Sequence, residues 1–279
     1  MPIIESIKNG LVESMKLKYI FPFLFLNFTL FSTTILFIIP IMYSLDQMYR
    51  TEVSPIYVSI IAVNSLSILI VLVIYYLLKV WFIGALIHSY HKKKDFFDSL
   101  ERVKKEYLNM FLISLVLVGI SALVTLFVRD SNLSAIFIMI VDLLLIFSFQ
   151  SVVIKKDTIK LAIVRSITIV KKLSSKVFLF WITTRTLALT IFIVAMLLFS
   201  PIAYVMNKVN PFSSEGTIYT MQHYSSDFII NAMTYLTMNY PVVITFGFLV
   251  MLIVSYVEVF LRIATTDFFV KVSRRKRFL

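Results

Sequence analysis

The chain has no cysteine among its 279 residues. That excludes disulfides, thiolate metal sites and a cysteine nucleophile. Charge is also scarce: 15% of residues are charged, against about a quarter in a soluble domain. Glycine occurs five times, and no Gly-x-Ser-x-Gly elbow, P-loop or glycine-rich phosphate loop is present. His88 and His91 stand three apart without a third ligand or a His-Glu-x-x-His pattern, so they read as interfacial polar residues rather than metal ligands. Asp95, Asp98 and Glu101 form one solvated helix face, not a catalytic pair. The expectation is a protein that is not an enzyme, with no cofactor and no metal. The first ten residues lack a basic start and the first apolar run has no small-residue cleavage site, so no cleavable signal peptide is expected.

What fills the chain is hydrocarbon: 59% of residues are hydrophobic. A bilayer core about 30 Å thick is crossed by a helix of about 20 apolar residues, and several runs reach that length. They predict an all-α integral membrane bundle, a single transmembrane domain over 1–279, with spans at 19–43, 55–78, 107–128, 133–154, 177–206 and 241–264. The last uncharged run, Phe228–Val257, is longer than one crossing needs. Pro241 suits a first helical turn, so 227–238 reads as a surface helix ahead of the sixth span. The alternative is one long helix kinked at Pro241.

Lysine and arginine fall on one side of this topology. The N-terminal segment, the connections after spans two and four with their flanks, and the C-terminal end hold 24 of the 27. These include Lys92, Lys93, Lys94, Lys104, Lys105, Lys171, Lys172, Arg274, Arg275, Lys276 and Arg277. Cytoplasmic loops carry such an excess, so both ends are expected in the cytoplasm and the chain in the cell membrane. The net charge of +12 is therefore mostly a topology signal. Binding of polyanions or anionic headgroups by the same face stays open beside it.

Three segments ahead of spans one, three and five begin alike: Glu5-Ser6-Ile7-Lys8, Asp98-Ser99-Leu100-Glu101 and Asp157-Thr158-Ile159-Lys160. Each continues as an amphipathic helix, over about 3–16, 95–106 and 157–172. The expected apolar faces are Ile4, Ile7, Leu11 and Met15; Phe96, Leu100, Val103 and Tyr107; and Ile159, Ile163, Ile167 and Val170. Such helices lie in the headgroup plane with the apolar face toward the lipid. The pattern is a surface helix plus a transmembrane hairpin, used three times.

Charges inside spans are costly and have partners. Asp142 in span four and Arg185 in span five lie at similar depth, which predicts an ion pair. Glu258 and Arg262, four apart on span six, predict a second. Lys79, Asn64 and Gln150 complete the in-membrane polar set. A polar pathway and simple structural pairing are both open readings of it.

The segment Asp157-Thr158-Ile159-Lys160-Leu161-Ala162-Ile163-Val164-Arg165-Ser166, followed by Lys171-Lys172, resembles a broad group of prokaryotic, archaeal-type six-span proteins of unassigned function. Their membrane domains are compared with the one attached to some glycerophosphodiester phosphodiesterases. In size, span number and basic inner face the chain also resembles the polytopic membrane subunits of crenarchaeal DNA-import systems. That resemblance implies a channel working with other membrane subunits and a cytoplasmic ATPase, with DNA as cargo. It carries no site residue. A DNA-translocation component, a small-solute or ion permease, and a non-catalytic membrane scaffold in contact with lipid are the three classes to separate, with an oligomer possible in each.

Overall fold

A computed structural model describes residues 2–50, 54–128, 130–208 and 240–273. The surface helix expected over 227–238 and the basic run Arg274, Arg275, Lys276 and Arg277 lie outside them. The described residues form α-helices α1 (Pro2–Ser14), α2 (Leu17–Arg50), α3 (Pro55–Lys92), α4 (Phe96–Val103), α5 (Tyr107–Phe127), α6 (Ser131–Leu145), α7 (Ser148–Lys155), α8 (Ile159–Lys172), α9 (Ser174–Lys208) and α10 (Tyr240–Ser273). No strand occurs among them. Six stretches are long and apolar enough to cross a bilayer: Leu17–Leu45, Pro55–Lys92, Tyr107–Phe127, Ser131–Lys155, Ser174–Leu198 and Val243–Ser273. The chain is a polytopic, all-α membrane protein.

Boundaries differ from the sequence reading: the helix of the first span runs on to Arg50 and the sixth span to Ser273, and two further differences have a clear local cause. The second span runs on to Lys92 instead of ending near residue 78. Nothing between Lys79 and Lys92 stops a helix, and Val80, Ile83, Ala85, Leu86 and Ile87 are buried. The stop comes at Lys93, whose φ of 54° is left-handed. The fourth span is broken after Leu145 and restarts at Ser148. Ser166 of α8 reaches into the break: its hydroxyl donates to Leu144 C=O at 2.7 Å and accepts from Phe147 N–H at 3.2 Å. A side chain inserted into the backbone ladder is a standard cause of a kink.

Helix starts follow local chemistry. Asp95 accepts from Phe97 N–H to begin α4, and Asp130 accepts from Asn132 and Leu133 N–H to begin α6. Both carboxylates meet free N–H groups at the positive end of a helix dipole.

The chain divides into two compact units. The first comprises Met1–Phe23, Leu77–Thr190 and Ser255–Leu279. Its core is aromatic: Phe180 stacks on Phe268 with ring centroids 4.3 Å apart, and Phe147 lies 5.7 Å from Phe269. Ile3, Ile7 and Leu11 of α1 pack on this cluster. The second unit comprises Leu24–Tyr76 and Ile191–Val254. In it Phe28 meets Phe248 edge-on at 5.4 Å, and Tyr75 donates to Asn27 at 2.7 Å. Leu66, Leu69, Ile70 and Val73 stand exposed, as suits side chains whose solvent is hydrocarbon.

The three surface helices dock on protein more than the sequence pattern indicates. On α1 the buried face is Ser6, Gly10 and Ser14, while Ile4 and Met15 of the expected apolar face are exposed. On α8 it is Ala162, Ser166, Ile169 and Val170, not Ile159, Ile163 and Ile167. On α4 the expected Phe96 and Val103 are buried, with Ser99 between them. Small residues (Ser6, Gly10 and Ser14, Ser99, Ala162 and Ser166) share these faces because they let helix backbones approach closely. At Gly10 a Cβ would lie 2.7 Å from Ala264 Cβ.

Gly10→Val should therefore cost about 1–3 kcal/mol, read as a lower Tm in detergent. A Cβ added at Gly119 would meet nothing within 4 Å, so Gly119→Ala should leave Tm equal or higher, by up to about 1 kcal/mol. The absence of cysteine also makes topology directly readable. Lys171→Cys should react with a membrane-impermeant maleimide only after permeabilisation of cells, and Asn132→Cys should react in intact cells; the reverse result inverts the expected orientation.

Candidate functional site

The richest polar cluster sits where α1 meets the ends of α3 and α10, and its centre is Asp267. This carboxylate accepts from Ser6 Oγ at 2.7 Å and from Tyr90 OH at 2.9 Å. It also pairs with Lys271 Nζ at 2.6 Å, and Lys271 reaches Glu5 at 3.2 Å. The first helix and the last turns of the last span are thus tied together at one end of the bundle. Sequence reasoning missed Asp267 and Tyr90. Two signals were available: the Asp267–Lys271 spacing of a helix pair, and the Ser6-x-x-x-Gly10-x-x-x-Ser14 stripe of a close helix contact.

The cluster forms one wall of a cleft of about 650 Å³, open to the surface and rimmed by Lys8, Lys16, Lys18 and Lys93. A second cleft of about 490 Å³ lies between α4 and the ends of α3 and α7, lined by His88, Arg102, Lys105 and Lys156 with Glu101 and Glu106. Both open on the lysine-rich side. His88 Nδ1 is 3.1 Å from Ser99 Oγ. Because that hydroxyl donates to Asp95 C=O at 2.8 Å, the imidazole is the donor.

One contact recurs around this face. Each surface helix buries a serine that bonds to the span before it: Ser99 of α4 to α3, Ser166 of α8 to the break between α6 and α7, and Ser6 of α1 to α10. The last closes the circuit from the end of the chain to its beginning. In α8 a further lock replaces the expected helix start at Asp157. Its carboxylate accepts from Ser151 Oγ at 2.5 Å and from Arg165 Nε at 2.6 Å.

The in-membrane polar residues make the following contacts. Arg185 Nη2 lies 2.7 Å from Asp142 Oδ2, and Trp181 Nε1–H donates to the same oxygen at 3.0 Å. Glu258 pairs with Lys79 of α3 at 3.1 Å rather than with Arg262. The helix spacing allows the expected pair, but a partner on a facing helix holds the carboxylate instead. Arg262 places its guanidinium 5.6 Å from the Phe149 ring centroid, a cation–π distance. Asn64 donates to Ile60 C=O one turn back on its own helix at 2.8 Å. Gln150 is fully buried in α7, and neither of its amide atoms has a partner among the described residues. Within the first unit, Arg262 lies in Coulombic reach of Glu258, Asp142 and Arg185.

Lys92, Lys93, Lys94, Lys104, Lys105, Lys171 and Lys172 are all exposed. Among the described residues no group of three His, Cys, Asp or Glu side chains is placed to hold a metal. No protein-family model, no curated protein and no solved structure matches the chain.

Removing the Asp267 carboxylate leaves Tyr90 and Ser6 without their acceptor and Lys271 with Glu5 alone. Asp267→Ala should cost about 1–3 kcal/mol, and hydrogen exchange should rise across Pro2–Ser14 well before it rises in α5. Equal rates in both helices would show that Asp267 does not anchor α1.

Proposed function

We propose that the chain is the polytopic membrane component of a translocation assembly whose cargo is a polyanion. The specific reading is DNA import across the cell membrane, with other membrane subunits completing the passage and a cytoplasmic ATPase supplying energy. The observation that carries this reading is the basic face with its two open clefts, of about 650 and 490 Å³, each lined by more lysine and arginine than glutamate and aspartate. Long cationic side chains around a hydrated cleft attract phosphate backbones without reading sequence. The resemblance in size and layout to DNA-import membrane subunits points the same way.

A permease acting alone fits less well. It needs Asp142 and Arg185 around an occluded site, whereas they are bound to each other and lie partly exposed. A non-catalytic scaffold is the second reading, favoured by the closed pairs Asp142–Arg185 and Lys79–Glu258.

A deletion strain should lose DNA uptake, and the purified chain in nanodiscs should bind DNA with affinity that falls steeply with salt. The triple variant Lys8→Gln, Lys18→Gln, Lys93→Gln should lower the slope of log K against log salt by about 2 to 3. Normal uptake in the deletion strain would sink the DNA reading and leave the scaffold.

A further inference from the structure

The Asp142–Arg185 pair is in an unusual place. Asp142 is eleven residues along unbroken helix from Ser131, the start of its span, and Arg185 eleven from Ser174, the start of its own. At about 1.5 Å per residue each lies roughly 16 Å from its end, near the middle of a layer about 30 Å thick. Yet the two side chains are 42% and 47% exposed. Ionised groups in a bilayer core normally face the bundle interior or a protein partner. Here both side chains stay partly exposed.

Their bonding capacity is also half used. Arg185 and Trp181 both meet Oδ2 of Asp142, and Oδ1 receives no donor among the described residues. Arg185 uses one Nη2 contact, and its remaining N–H groups have no acceptor there. One patch thus offers a free acceptor and free donors, of opposite charge, at nearly one depth. Exposed apolar side chains border it: Phe178, Ile182 and Leu189 on α9, and Met139 on α6.

We propose that this face of spans four and five binds a second copy of the same chain, about a twofold axis along the membrane normal. Such an axis keeps depth and exchanges the two sides of the patch, so Asp142 of each copy meets Arg185 of the other. The four side chains close an alternating ring of charge in which each carboxylate uses both oxygens. A twofold interface must be self-complementary, and a patch carrying one acid and one base at equal depth is. A partner bearing a single charge would leave one member of the pair facing lipid. The proposal goes beyond the translocation reading and holds whether or not DNA is the cargo.

The naturally cysteine-free chain allows a direct test in native membranes. Ile182→Cys should give a self-cross-linked dimer with a short bis-maleimide, and Leu108→Cys, exposed on α5, should not. Adding Asp142→Asn with Arg185→Gln should reduce the dimer at least tenfold. The exchanged pair Asp142→Arg with Arg185→Asp keeps both the internal bond and the ring, so it should restore it. Size-exclusion and thermal unfolding of each variant separate loss of the interface from loss of the fold. A monomer at Ile182→Cys, equal cross-linking at Leu108→Cys, or cross-linking to a different subunit instead of to itself would each overturn the proposal.

Discussion

Hydrocarbon offers no hydrogen bond, so a polar group inside a bilayer must find its partner within protein. That constraint explains most of the contacts in this chain. Asn64 turns back on its own helix, Lys79 takes Glu258 from a facing one, and Arg262 settles over an aromatic ring. Even the break in the fourth span follows the rule. The backbone groups freed between Leu144 and Phe147 are met by one serine hydroxyl from α8.

The same serine logic organises the basic face. A surface helix ahead of a hairpin could rest on lipid alone, held by an apolar stripe. In this chain the stripe turned toward the bundle mixes apolar side chains with small polar ones, and each helix is fastened by a buried hydroxyl to the preceding span. The serine of α8 sits one turn deeper in its helix than that of α4, so the recurrence is one of contact rather than strict register. Because the circuit runs from α10 to α1, the two ends of the chain are locked together. The clefts open beside these fastenings, and their lysines therefore project from an ordered frame.

The Asp142–Arg185 pair and the buried Gln150 amide are places where internal satisfaction is incomplete. The Asp142–Arg185 bond uses one carboxylate oxygen and one guanidinium nitrogen and stays partly exposed, which is the basis of the proposed contact with a second copy. This bears on function: a translocation component or a scaffold works in an assembly, and a self-sufficient permease does not need such a face. The basic clefts and the Asp142–Arg185 pair share no residue.

Length and hydropathy alone carry the six crossings, because the thickness of the bilayer sets a length that any sequence can be measured against. The Asp142–Arg185 pairing was legible for a similar reason: two costly charges at one depth have few partners to choose from. The Glu258–Arg262 expectation went astray because helix spacing reports which residues are neighbours along one helix and says nothing of the facing one. The second span's extension to Lys92 escaped because a basic, interfacial sequence reads as a connection while its backbone still obeys helix sterics. The Asp267 cluster joins residues 6, 90 and 267, too far apart in the chain for any local pattern to show. Composition and periodicity determined what must lie in lipid; packing decided which polar atoms meet, since that depends on which helix faces which.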